Sequence, residues 1–363
     1  MNKYRAAIVG ARRGLHHARA YEGIGHMRVV ALCEQDPERL RQGLAQLGSA
    51  VVGYSDYGQM LDKEKPDIVH AVTAPTIPRA RWIEPAAAAG VRALVIEKPI
   101  GLRPSEVEAV ADAVAQTKMK VIVNHQRRYM PFIQRWEDLQ QSPTPSGGVQ
   151  FVRASTEGPL MDMATHLMDL SLWAVGDVAP EAVWATVEGG GDYYQNAFQC
   201  PDAMIATITF PGGVRLLFES AESALGSRDF RGCNGRCNID IWTDRGRFWW
   251  RQFCLSGYQV AGAAWPFLEA TNMEADDPSA QRRFTEAIAT WLEDENRPHR
   301  CRFEVAKLGQ DILFAAYRSA LLGKRLSWPS LLSDAEWEQL RCRLTGQDAG
   351  SLPPTEHGTG EAA

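Results

Sequence analysis

Two carboxylates and an imidazole share one short stretch of this 363-residue chain, Asp162-Met163-Ala164-Thr165-His166-Leu167-Met168-Asp169. On a helix, Asp162 and His166 form an i,i+4 pair on one face, with Asp169 one turn further along. A carboxylate beside an imidazole can hold its orientation and raise its basicity, which proton transfer near neutral pH requires. The competing reading is a local contact on a helix surface. A second charged group, Glu97-Lys98, stands in Val95-Ile96-Glu97-Lys98-Pro99-Ile100-Gly101 and follows an apolar run from Ala93 to Ile96. That run reads as a buried strand stopped by a charged pair and a proline. Strand ends of this kind are where open α/β sheets place their chemistry.

A third group is rich in glycine. Ala6-Ala7-Ile8-Val9 reads as a short buried strand, followed by Gly10-Ala11-Arg12-Arg13-Gly14 and a helical segment. Strand, turn and helix in that order cradle a pyrophosphate at the helix N-terminus. The pattern departs from G-x-G-x-x-G, because Arg12 holds the second glycine position and the distance from Gly10 to Gly14 is one residue short. A side chain there hinders a dinucleotide unless the turn is re-routed and the guanidinium meets the phosphates itself. Met27 to Cys33 reads as a second strand, ending on Glu34, 24 residues after Gly10. An acid at that spacing accepts hydrogen bonds from the adenosine ribose and repels a 2′-phosphate, which favours NAD over NADP.

Alternating elements must position these groups. Asp67 to Val72 leads into Thr73-Ala74-Pro75, Ala93 to Ile96 into Glu97-Lys98-Pro99, and Val121-Ile122-Val123 into Asn124-His125-Gln126, with helical segments over 78–89 and 104–117. Strands alternating with helices predict a parallel, doubly wound Rossmann sheet over residues 1–124. Beyond the turn-rich Pro143 to Gly148 the grammar changes. Ile205 to Phe210 and Val214 to Glu219 flank Pro211-Gly212-Gly213 as a hairpin, and Asn238 to Thr243 with Arg247 to Arg251 reads as another. These predict an α+β domain over 125–345 with a large, mainly antiparallel open sheet. Neighbouring Trp249 and Trp250 must point to opposite faces of their strand, so one enters the core and the other needs separate cover. With helices enough for one face, a homodimer or homotetramer is expected. Residues 346–363 hold almost no apolar side chain and are expected to be a disordered tail.

Composition narrows the function classes. The chain is 45% apolar and 23% charged, ordinary for globular protein, and long enough for two cores. Its 39 basic and 44 acidic residues give a net charge of −5 with no basic block, which argues against nucleic acid or anionic membrane as partners. Seven scattered cysteines read as reduced thiols. Cys233 and Cys237 have no second ligand pair nearby, so no structural metal is expected. The first strand begins within five residues of Met1, leaving no room for a signal peptide, and no apolar run approaches the roughly 20 residues of a membrane span. A soluble, cytoplasmic protein is the expectation.

Taken together, these stretches resemble the glucose-fructose oxidoreductase, inositol dehydrogenase and rhizopine-catabolism family, Gfo/Idh/MocA, over about residues 4 to 330. The matching parts are the Gly-rich start, Glu34, Thr73-Ala74-Pro75, Glu97-Lys98-Pro99, Asn124-His125-Gln126-Arg127-Arg128-Tyr129, the Asp162-x₃-His166-x₂-Asp169 helix, and the closing Ala315 to Ala320 and Trp328-Pro329. The resemblance implies an NAD(P)-dependent dehydrogenase or reductase acting on a secondary alcohol of a sugar, inositol or related polyol. It implies Lys98, Asp162 and His166 as catalytic residues, with Gln126 beside them facing the substrate. Gly10, Arg12, Arg13, Gly14, Glu34, Thr73, Pro75, Glu97 and Lys98 would surround the cofactor. In that scheme His166 takes the hydroxyl proton, Lys98 stabilises the charge developing on the same oxygen, Asp162 orients the site, and hydride passes to the nicotinamide. Three features depart from the family: the glycine loop, Arg79 where members commonly carry histidine, and a short connection between Val152 and Asp162. An alternative is a non-catalytic NAD- or sugar-sensing protein, favoured by Arg12 in the glycine loop. A keto-sugar reductase would use the same residues in the opposite direction.

Overall fold

The structure, a computed structural model, describes residues 4–141, 147–157, 160–190, 192–193, 198–221 and 237–346. The expected disordered tail falls on 347–363, apart from Gly346, and lies outside the described residues, as do Cys233 and most of the turn-rich stretch before Gly147.

Six strands make the first sheet: β1 (Tyr4–Val9), β2 (Met27–Cys33), β3 (Val52–Tyr54), β4 (Ile68–Ala71), β5 (Ala93–Ile96) and β6 (Lys120–Val123). All residues of β4 and β5 are buried, because helices cover both faces, and such strands need uninterrupted apolar runs rather than alternation. The strands are parallel in the order β3-β2-β1-β4-β5-β6. The chain changes direction across the sheet between β1 and β4, and the crevice at their carboxyl ends is where such sheets bind ligands. Helices α1 (Gly14–Arg19), α2 (Pro37–Leu47), α3 (Tyr57–Glu64), α4 (Ile83–Ala88) and α5 (Pro104–Ala115) connect them. Asp36 caps α2 by accepting from the Glu38 and Arg39 amides at 2.9 and 3.0 Å, with Pro37 in the first helical position.

The remaining chain builds a second sheet. It contains α6 (Pro131–Gln140), β7 (Val149–Thr156), a π-helical turn (Leu160–Ala164), α7 (Thr165–Ala174), β8 (Ala182–Glu188) and a small ribbon of β9 (Asp192–Tyr193) with β10 (Phe198–Gln199). After these come β11 (Ala203–Thr209), β12 (Arg215–Ser220), β13 (Cys237–Thr243), β14 (Gly246–Arg251), β15 (Leu255–Val260), β16 (Phe267–Ala270), α8 (Met273–Glu293), α9 (Phe303–Leu322), β17 (Leu326–Ser327) and α10 (Asp334–Thr345). The nine-stranded order is β16-β15-β14-β13-β7-β12-β11-β8-β17, antiparallel except where β7 meets β12. Both expected hairpins are present as β11/β12 and β13/β14.

One face of this sheet carries the helices. Helix α7 packs against β7 and α9 and is buried almost all round, which explains its nearly continuous apolar sequence. Trp250 is buried and stacks on Phe132 of α6 with centroids 4.6 Å apart. Trp249 points the other way, under the Arg247 guanidinium at 5.3 Å. On that uncovered face Trp184 and Ile205 are 39% and 49% exposed. Helix α8 returns to the first sheet, where Phe284 and Ile288 pack with Tyr4, Ile68 and Val95. Among the described residues no helix is long and apolar enough to cross a membrane.

Candidate active site

The carboxyl ends of β1, β2, β4 and β5 open on a cavity of about 350 Å³. Gly10, Arg12, Arg13, Glu34, Thr73, Pro75, Glu97 and Lys98 line it, joined by Met161 and Asp162 from the π-helical turn. Gly10 has a φ of +94°, and a Cβ there would stand 2.1 Å from the Val72 carbonyl oxygen, so only glycine lets the first turn cross the end of β4. Gly14 does not line the cavity. A Cβ on it would meet Ile8 Cγ2 at 2.8 Å, so its bareness serves the close approach of α1 to β1. Glu34 accepts from the Ala11 amide at 2.9 Å and the Asp36 amide at 3.1 Å, which fixes its carboxylate beside the glycine turn.

Glu97 is buried at the end of β5. Its Oε1 receives His17 Nε2 at 3.0 Å and Asn124 Nδ2 at 2.9 Å, and Arg13 Nε lies 3.5 Å away. Burial alone would raise the pKa of this carboxyl, but the His17 hydrogen bond and the charges of Arg13 and Lys98 hold it below the usual carboxylate range. His17 Nδ1 meets His70 Nδ1 at 2.9 Å, and His70 Nε2 meets the Tyr21 hydroxyl at 2.8 Å. Burial lowers both imidazole pKa values, so the rings are neutral and each carries one N–H. A carboxylate can only accept. His17 therefore donates through Nε2 to Glu97, accepts at Nδ1 from His70, and His70 accepts from Tyr21. Every bond in the chain points toward Glu97, next to Lys98. Sequence reading missed both histidines, although His70 interrupts an otherwise apolar strand.

This network gives a pH prediction. The folded pKa of Glu97 lies below its unfolded value of about 4.5, so its contribution to stability is complete above that pH and is lost as pH falls below it. Neutral buried His17 and His70 act in the same direction, beginning near 6.5. Glu97→Gln should thus lower the melting temperature at pH 7 and flatten its fall between pH 5 and 3, followed by circular dichroism. An unchanged acid slope would exclude Glu97 from this role.

Lys98 Nζ forms an ion pair with the Asp162 carboxylate and donates to the Asp162 carbonyl oxygen at 3.3 Å. The α-helical i,i+4 register expected for Asp162 and His166 is not the local geometry. Leu160–Ala164 is π-helical and α7 begins only at Thr165. His166 is 5% exposed, and its ring stands edge-on to His125 with centroids 5.3 Å apart. Burial takes its pKa well below 6.5, and the nearby cations Arg127, Lys98 and Arg13 push the same way. The ring is therefore in its proton-accepting form at neutral pH. Its Nδ1 has no hydrogen-bond partner among the described residues.

Gln126 donates at 3.0 Å to Asp277 Oδ1 of α8, whose Oδ2 lies 3.4 Å from His16 Nε2. Neither Gln126 nor His166 belongs to the cavity wall. Arg79, noted in the sequence as a departure, is buried. Its Nη1 donates to Thr73 Oγ1 and to the Ala74 and Ile77 carbonyls at 2.8–3.1 Å, and its Nε to the Glu97 carbonyl at 3.1 Å. It thereby ties the segments after β4 and β5 together. Asp169 turns away from the cavity and pairs with buried Arg128 at 2.7 Å, while Arg128 also donates to Asp177 at 2.9 Å.

Residues 4–125 match the family model of oxidoreductases with an NAD-binding Rossmann fold, and residues 134–248 match the GFO/IDH/MocA C-terminal domain. The chain is 23% identical over 312 residues to the rhizopine catabolism protein MocA of Rhizobium meliloti, covering 81% of this chain and 86% of that one. It is 26% identical over 196 residues to the D-apiose dehydrogenase of Paraburkholderia graminis, covering 49% of this chain and about half, 51%, of that one. A solved structure of levoglucosan dehydrogenase, in complex with NADH and L-sorbose, shares the fold with a TM-score of 0.74 at 16% identity, over 90% of this chain and 99% of that one. With the whole first sheet and the β7–β13 part of the second falling within the two family models, which together match more than half of the chain, the chain belongs to the Gfo/Idh/MocA family of NAD-binding oxidoreductases.

Proposed function

We propose that this protein is an NAD-dependent dehydrogenase that oxidises a secondary alcohol of a sugar, inositol or related polyol. One observation carries the reading: the Lys98–Asp162 pair lines the same cavity as Gly10 and Glu34, so an amine able to stabilise an alkoxide stands within the dinucleotide cleft. The residues fit the cofactor. Gly10 leaves a cradle that a Cβ would fill, Arg12 and Arg13 supply cations where phosphates would lie, and Glu34 is fixed at the ribose end. When bound, NAD supplies the hydride acceptor. Lys98 donates to the alcohol oxygen and stabilises its charge as the proton leaves. Neutral His166 receives that proton, and Asp162 holds the ammonium in place. In this reading residues 1–124 hold the nucleotide and 125–345 complete the substrate site. Formation of NADH with a panel of polyols and sugars tests it. Cofactor binding without turnover on any of them would favour the sensor instead.

NAD should bind at least about tenfold more tightly than NADP, since Glu34 opposes a 2′-phosphate and Gln35 offers no cation. Titration by intrinsic fluorescence measures this. Tighter binding of NADP would move the phosphate contact onto Arg12 or Arg13. We also propose a dimer or tetramer built on the uncovered sheet face that exposes Trp184 and Ile205. A monomeric mass by light scattering at micromolar protein would contradict it.

A further inference from the structure

The cavity wall holds four carboxylates, Glu34, Asp56, Glu97 and Asp162, and each is engaged. Glu34 accepts from the Ala11 and Asp36 amides, Asp56 accepts from the Gln59 amide at 2.7 Å, Glu97 receives His17 and Asn124, and Asp162 holds Lys98. Of the cations in the same wall, Lys98 is paired with Asp162, Arg13 Nε lies 3.5 Å from Glu97, and the Arg81 guanidinium covers the Trp82 ring at 4.9 Å. Arg12 is different. It lines the cavity, and among the described residues its guanidinium has neither a hydrogen bond nor an ion pair. Water can satisfy an exposed arginine, so its meaning depends on the loop that carries it.

A glycine turn ordinarily holds phosphates with backbone amides at a helix N-terminus. This turn has lost part of that means. The Gly10 amide donates to the Cys33 carbonyl at 2.8 Å and the Ala11 amide to Glu34 at 2.9 Å. Beyond the turn, the Leu15 and His16 amides close back on the Arg12 and Arg13 carbonyls at 3.2 and 2.9 Å. Helix α1 has six residues, under two turns, so its aligned peptides add little positive potential at that end. Position 12 is also where the fingerprint has its second glycine, whose bareness lets the backbone approach the pyrophosphate. A side chain there holds the backbone off, and a guanidinium at its tip can reach across the gap.

We propose that Arg12 grips the diphosphate of the bound dinucleotide with its guanidinium, doing by side chain what the second glycine of the fingerprint does by backbone. This deepens the NAD reading and rests on it. The planar fork matches a pair of phosphate oxygens, and its hydrogen bonds to them are charge-assisted. Neighbouring Arg13 is held toward buried Glu97 and leaves the diphosphate to Arg12. The consequence runs against the motif: glycine at position 12 completes the fingerprint and weakens the cofactor site.

The test is isothermal titration of the full chain with NAD. Arg12→Gly and Arg12→Gln should each lower the affinity about tenfold or more, the scale of a lost charge-assisted hydrogen bond, with the melting temperature of the unliganded protein close to that of the wild type. Glutamine carries the comparison if glycine loosens the turn. Arg12→Lys, which keeps a charge without the fork, should retain part of the affinity. Added sodium chloride should weaken NAD binding more steeply in the wild type than in Arg12→Gln, because the pair that salt screens is absent from the variant. Unchanged or tighter binding by Arg12→Gly, salt curves of equal slope, or a loss confined to NADP, which would seat Arg12 at the ribose, would each overturn the proposal. Failure of the underlying reading looks different: the wild type itself binds no NAD.

Discussion

Lys98→Met and His166→Ala should each lower the turnover rate by about 10²-fold or more while leaving NAD affinity within a few-fold of the wild type. The two residues come from segments on different sides of the cleft, one after a strand of the first sheet and one on a helix packed on the second. Lys98 follows β5 at the end of the nucleotide crevice, whereas His166 rides α7 beneath the second sheet. Methionine keeps the length of Lys98 and its packing but removes the ammonium that pairs with Asp162. Alanine at position 166 removes an imidazole that burial keeps neutral. Asp162→Asn should cost less, because the carboxamide can still accept a hydrogen bond from Lys98. The pH profile supplies the sharper check. With a folded pKa well below 6.5, His166 is ready to accept a proton throughout the neutral range, so the acid limb of the oxidation rate should inflect below pH 6.5. That limb should disappear in His166→Ala. Near-normal turnover of this variant on the best substrate would transfer the proton to Lys98 itself.

The largest expected effect on stability is at Arg128. Its side chain is 1% exposed and donates to the Asp169 carboxylate, the Asp169 carbonyl and Asp177, tying the segment after β6 to α7. Arg128→Leu leaves Asp169, itself 2% exposed, as a buried carboxylate with no counter-charge. Breaking a buried pair on one side costs roughly 3–5 kcal/mol. Urea unfolding should therefore show a much lower midpoint with a similar slope. Replacing both partners, Arg128→Leu with Asp169→Leu, should recover part of the loss, because no charge is then stranded. A single variant as stable as the wild type would show that Asp169 finds another partner or gives up its charge.

The parts of this molecule that were legible in its sequence are those written in local periodicity. Continuous apolar runs marked β4 and β5, turn residues marked the two hairpins, and Glu97-Lys98-Pro99 stood out because charge follows such a run directly. Strand β3 escaped because it is three residues long and its first residue, Val52, is exposed at the sheet edge. The site was legible only in part. Lys98 and Asp162 do share the cavity wall, but their pairing depends on a π-helical turn that no α-helical spacing rule anticipates. Asp277 lies on α8, 151 positions beyond the Gln126 it binds, and that contact exists only once α8 folds back onto the first sheet. His17 and His70 meet across 53 positions for the same reason. Asp169 shows the converse, since a residue in motif spacing turned out to serve a buried arginine.

The one-way hydrogen-bond chain from Tyr21 to Glu97 also bears on how this site can change by mutation. Four groups from three segments, α1 with the turn after it, β4 and the end of β5, share one direction of donation, so the loss of any one leaves its neighbour with the wrong tautomer for the next. Substitutions along the chain should be strongly epistatic: once His17 is gone, removing His70 costs little more, and neither can be restored alone. For an engineer or a diverging lineage, Tyr21, His70, His17 and Glu97 behave as one locus, inherited or abandoned together, and the placement of Lys98 is tied to its fate.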